Sequence, residues 1–229
     1  KFDSKSLDGK SRPRMQFEGA LIVNLLSRDE AAAAARLEAL PENQRGELLR
    51  HYSSHDVKTE DQLAFANLVR GEVPEMEQGN TLAQIAARET HRDGYNGVTE
   101  YLDRIKATPS ERAACVEEAA ESRIQNLSHT RKITAEDIDA MREWATTQSP
   151  DTTDRVTGTT IARSTELNQR LDFSEASALA LKYHEASGND EVLIGFLSSS
   201  AAHSNKDKAR ELAARISDAA RREEILEQY

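Results

Sequence analysis

Three apolar stripes at helical spacing, each followed within a hairpin's length by another helical segment, limit what this chain can become. Val98, Tyr101, Leu102 and Ile105 stand at i, i+3, i+4 and i+7, as do Ala176, Leu179, Ala180 and Tyr183, and again Ala209, Leu212, Ala213 and Ile216. That spacing places each set on one side of a 3.6-residue helix. Two such helices in succession bury their stripes by folding back on each other, and the recurrence predicts stacked helix pairs. The expected fold is all-α, a right-handed stack of about five to six antiparallel hairpins, an α-solenoid.

Helix-start chemistry sets the boundaries. Thr108-Pro109-Ser110-Glu111 is a capping box with proline at the first helical position, where its missing N–H costs nothing. Thr59 with Gln62 and Thr134 with Asp137 repeat the box, and Leu40-Pro41-Glu42 and Ser149-Pro150-Asp151 are proline-led starts. Ser174, Asn189 and Asn205 read as N-caps and Gly188 as a C-cap. Helices are expected near 15–27, 29–40, 42–54, 60–70, 81–92, 95–106, 109–127, 135–147, 151–170, 175–187, 190–202, 206–218 and 220–228, with first helices of hairpins near 29, 60, 95, 135, 175 and 206. The one strand-like stretch, Arg155–Ile161 around Gly158, has no partner strand and reads as a weak helix carried by its neighbours. Residues 15–229 form the repeat domain, with Gly71, Pro74 and Gly79 marking a joint near 71–80 and a looser one over 126–133. The preceding 1–14 reads as a flexible basic tail: five Lys or Arg against Asp3 and Asp8. Such a stretch resembles what removal of an export signal leaves, which points to the periplasm or cell envelope.

Composition narrows function. The chain has 32 alanines, 5% aromatics and a formal charge of −10. With the tail carrying +3, the rest holds −13, which disfavours binding to a phosphate backbone, so no nucleic-acid partner is expected. Alanine-rich helices approach closely and build thin layers. No run reaches the roughly 20 apolar residues of a membrane span; Met15–Leu26, interrupted by Glu18 and Asn24, reads as a buried helix.

His51 and His55 share a helix face at i, i+4 and are the best metal candidates. The position after the first histidine, glutamate in a metalloprotease helix, is Tyr52, and no third ligand is local. The other histidines are scattered, and Glu117-Glu118-Glu121 and Glu136-Asp137-Asp139 read as solvated helix faces. Cys115, the single cysteine, reads as a small buried hydrophobe. No phosphate loop, dinucleotide fingerprint, nucleophile elbow or paired Glu-x-x-His motif is present. Trp144, beside Ile138, Met141 and Ala145, reads as core. Arginines early in second helices (Arg45, Arg112, Arg155, Arg221 and Arg222) read as packing ion pairs, with a ligand-facing row as the alternative.

The helix pairs, the repeat interval of about 31 to 40 residues, and the Pro- or Thr-led second helices resemble α-solenoids of the tetratricopeptide and HEAT type. Trp144-Ala-x-x-x-Ser-Pro-Asp, and Ala-x-x-Leu-Ala-x-x-Ile-x-Asp-x-x-x-Arg from Ala209, are similar to degenerate hairpin repeats of uncharacterised bacterial envelope proteins. The resemblance spans 29–229. It implies a non-enzymatic scaffold with a protein or peptide partner and no cofactor, metal or catalytic residue. Two alternatives are a metal-dependent enzyme in a helix bundle using His51 and His55, and a structural envelope component that self-associates through Met15–Leu26.

Overall fold

The computed structural model describes residues 12–53 and 57–229, and every regular element among them is helical. The expected tail lies outside the described residues as far as residue 11; Arg12 already begins the first helix. The chain divides into two compact units, 1–115 and 116–229.

The first unit contains α1 (Arg12–Leu26), α2 (Glu30–Glu38), α3 (Glu42–Leu48), α4 (Gln62–Glu72), α5 (Glu75–Arg104) and the first turns of α6 (Pro109–Ser128). A π turn over Leu49–Ser53 extends α3, and a 3₁₀ turn over Thr59–Asp61 leads into α4. α1 buries Ile22, Val23 and Leu26 and packs on α2 and α3. The Arg36 guanidinium of α2 grips the buried Glu18 carboxylate with two bonds, at 2.8 and 2.6 Å. The helix expected over 81–92 begins six residues earlier, at Glu75. Pro74 forces Val73 into extended backbone, which ends α4, and presets the start of α5. Gln78 reaches back to the carbonyls of Arg70 and Val73, at 3.2 and 2.9 Å, satisfying the end of α4. Gly79 sits inside the helix because a Cβ there would lie 2.8 Å from Ala114 Cβ.

The break between the helices expected over 81–92 and 95–106 is a sharp reversal within α5, at Asp93 and Gly94. Gly94 has φ 63° and ψ −148°, a combination essentially open to glycine alone. The Tyr101 hydroxyl donates to Leu82 O at 3.0 Å, nineteen residues back. In a straight helix those residues would be about 28 Å apart, so the two arms of α5 fold onto each other.

The second unit holds the rest of α6, α7 (Ala135–Gln148), α8 (Thr153–Ser164), α9 (Phe173–Ser187), α10 (Glu191–Leu197), α11 (Ser200–Ser204), α12 (Lys206–Ala213) and α13 (Ala219–Leu226). The strand-like stretch around Gly158 is helix α8, and it is the most central element of this unit, packed on α7, α9 and α10. It crosses α10 glycine to glycine: a Cβ on Gly158 would lie 3.0 Å from the carbonyl carbon of Val192, and one on Gly195 would lie 2.9 Å from Thr159 N. The buried hydroxyls of α8 turn back on their own helix, Thr157 to Thr153 O at 2.7 Å and Ser164 to Ile161 O at 2.7 Å. The helix expected over 190–202 is broken at Ser198-Ser199. Ser198 bonds Gly195 O and Ser199 caps α11 by accepting from Ala202 N, so the serine run takes the backbone bonds a continuous helix would need.

All three apolar stripes are buried in full, and helices start at or near each expected first-helix position, at Glu30, Gln62, after Gly94, Ala135, Phe173 and Lys206. The boxes at Thr108/Glu111 and Thr134/Asp137 form, and Gly188 takes the left-handed C-cap at φ 69°. Asp172 with Glu175, rather than Ser174, caps α9. Thr59 and Gln62 form no box: Thr59 opens the 3₁₀ turn, and the Gln62 side chain is spent in the core.

Candidate functional site

Of the five early arginines, Arg45, Arg112, Arg155 and Arg221 form ion pairs, and Arg222 bonds a backbone carbonyl. Arg45 bonds Leu40 O and Glu38 O and lies 3.4 Å from Glu72. Arg112 pairs with Asp103 at 2.6 Å, Arg155 with Glu117 at 2.6 Å, and Arg221 with Glu191; Arg222 donates to Ile216 O at 2.9 Å. Each joins its helix to another part of the same unit. Glu121 takes Arg163 at 3.0 Å, so the acidic face of α6 is partly neutralised by α8.

Two buried polar clusters in the first unit were invisible at sequence level. Glu89 is 1% exposed and accepts from Gln62 Nε2 at 2.9 Å, while its second oxygen lies 2.6 Å from Arg92. Gln62 in turn accepts from Arg104, linking α4 to both arms of α5. Glu111, the capping residue of α6, also receives Arg70 through two bonds of 2.8 Å. Burial alone pushes its carboxyl up, but the Arg70 guanidinium and the Thr108 amide hold it below its ordinary value. The capping pattern could be read from i to i+3; the partner 41 residues away could not.

His55 lies outside the described residues. His51 is exposed in the π turn that follows α3. Among the described residues no three His, Cys, Asp or Glu side chains are placed to hold one metal ion. His184 and His203 have their Nδ1 atoms 3.1 Å from Asn189 O and 2.9 Å from Ser199 O, positions that serve helix ends. Cys115 is buried, and Trp144 is half-buried at the rim of α7.

A recess suited to a ligand lies between α7 and α9, the first helices of two successive predicted hairpins. It encloses about 380 Å³ and is lined by Lys132, Ile133, Thr134, Ala135, Leu171, Glu175, Ala178, Leu179 and Lys182. Its floor is aliphatic. Its rim carries Lys132, paired with Glu175 at 3.0 Å, and Lys182, paired with Asp139 at 3.1 Å. Both pairs are solvent-exposed, a setting in which an ion pair contributes about 0–1 kcal/mol, so either lysine can turn to a ligand carboxylate or carbonyl at little cost. Behind the rim Tyr183 is fixed. Its hydroxyl donates to Asp139 at 2.6 Å, and Lys182 and Arg142 sit 4.8 and 5.2 Å from its ring. Burial and the Asp139 charge push the Tyr183 phenol above its ordinary value, and the bond from Tyr183 holds the Asp139 carboxyl below its own. An aliphatic floor with exchangeable charges at the edge can take a short extended peptide.

A second surface is the outer face of α1, where Phe17 is 66% exposed beside Ala20, Leu21, Asn24, Leu25 and Arg28. Among the described residues no helix is long and apolar enough to cross a membrane. No protein family, curated protein or solved structure matches the chain.

Proposed function

We propose that the protein is a non-enzymatic helical-repeat scaffold that binds a protein or peptide partner, its hairpins stacked as a right-handed solenoid of about five to six, with the α7–α9 recess as a contact point. The observation that carries this reading is the recess itself: it lies between two first helices of the predicted repeat, the position from which stacked hairpins present a groove. Its aliphatic floor and weakly held rim charges suit an extended segment with an apolar side chain flanked by polar ones.

Selection of displayed peptides on the full chain, followed by Ala178→Trp, tests it. Ala178 is exposed and lines the recess, so a tryptophan there fills the space without entering the core. Selected peptides are expected to lose affinity by at least about tenfold, near 1.4 kcal/mol, with helicity unchanged. Peptides that bind the variant as tightly as the parent would overturn the assignment of the recess. Small-angle scattering tests the stack: a radius of gyration near roughly 17 Å, the value for a closed globule of this length, would count against a solenoid.

A further inference from the structure

Contacts across the reversal tie α4 and the first arm of α5, before Gly94, to the second arm and the start of α6, after it. Tyr101 reaches Leu82 O, Arg104 bonds Gln62, and Arg70 holds Glu111 and also donates to Ile105 O at 3.0 Å. The reversal itself has no loop. Helical backbone runs up to Arg92 and resumes at Tyr95, and only Asp93 and Gly94 depart from it. In the backbone, only the Asp93 and Gly94 conformations separate this hairpin from one continuous helix of 30 residues, about 45 Å long. A straightened α5 would strand Val98, Tyr101 and Leu102 in water, all of which are buried in the closed form. A second straightened copy would cover them with the same side chains, since each copy supplies what the other lacks.

We infer that Gly94 is a hinge through which two copies of this chain exchange helices, the arm after Gly94 of each packing on α4 and the first arm of α5 of the other. The closed contacts are identical in the two forms. The balance is set by the hinge backbone and by protein concentration. This inference does not rest on the peptide-binding reading and uses a different face of the molecule from the exposed side of α1.

Two experiments on the full chain decide it. Gly94→Ala makes the reversal conformation costly while favouring straight helix, and a roughly twofold rise in solution mass over the 25.4 kDa monomer is expected. A monomer of unchanged helicity would overturn the inference. If that variant precipitates, a charge exchange gives the answer. Arg70→Glu and Glu111→Arg each place like charges together in a closed monomer. An exchanged pair of one copy of each restores opposite charges at both crossings. Unfolding the two together and refolding them is expected to yield a 1:1 dimer with the helicity of the parent. Two species that stay apart, folded or not, would overturn it. Phe17→Glu added to both copies leaves the 1:1 dimer intact if exchange is the cause, and its loss would assign the dimer to α1 instead.

Discussion

At the scale of single residues, the least legible feature was α8. Thr153, Thr157, Gly158, Thr159 and Thr160 have the composition of a strand, because β-branched residues lose rotamer freedom in a helix and glycine adds backbone entropy. The reasons they serve a helix are long-range. Gly158 is needed where Val192 of α10 presses its carbonyl onto the backbone, and the buried threonine hydroxyls of Thr153 and Thr157 are satisfied by carbonyls one turn back. Neither partner is written in the local sequence. Gly158→Ala puts two effects in opposition. Alanine favours the helix by about 1 kcal/mol over glycine, while overpacking a tight crossing costs about 1–3 kcal/mol. The obstacle here is backbone that cannot swing aside, so the larger figure wins, and a net loss of about 2 kcal/mol in denaturant unfolding is expected. A variant as stable as the parent would show that α8 and α10 separate freely.

At the scale of elements, helix ends were the most legible, because caps are decided within four residues. Thr108/Glu111, Thr134/Asp137 and Gly188 needed no knowledge of the rest of the chain. An end without such a signal was missed: α10 stops at a serine run, short of the 202 expected. Pairings between helices were also out of reach, since Arg70 and Glu111 are 41 residues apart. Their bridge is nearly dry on the Glu111 side, and removing one partner of a buried pair costs about 3–5 kcal/mol. Glu111→Ala is therefore expected to destabilise the first unit by about 3 kcal/mol, taking the α6 cap with it. Arg155→Ala, which breaks a pair exposed on both sides, should cost under about 1 kcal/mol. Equal losses in thermal or denaturant unfolding would mean that burial is not what gives these bridges their strength.

At the scale of the whole molecule, several carboxylates titrate in the same direction. Burial raises Glu111 and Asp190, yet Arg70 in one case and the hydroxyl and amides of Ser217 and Asp218 in the other bring both below their ordinary values. Asp139 is lowered by Tyr183 and then Lys182. In the unfolded chain these groups take up protons at about 4.5 for glutamate and 3.8 for aspartate. Their contribution to stability is thus complete above those values and is lost as pH falls through and below them. The denaturation midpoint should hold steady down to about pH 5 and then drop towards pH 3, with a shallower drop in Asp190→Asn. A midpoint insensitive to acid would remove these bonds from the energetics of the fold. Cys115 is the chain's only sulfhydryl, and it is closed to solvent inside α6. A thiol-reactive dye can mark it only after the helices around it part. The molecule therefore carries its own stopwatch, and the pace of labelling counts how often that part of the structure lets water in.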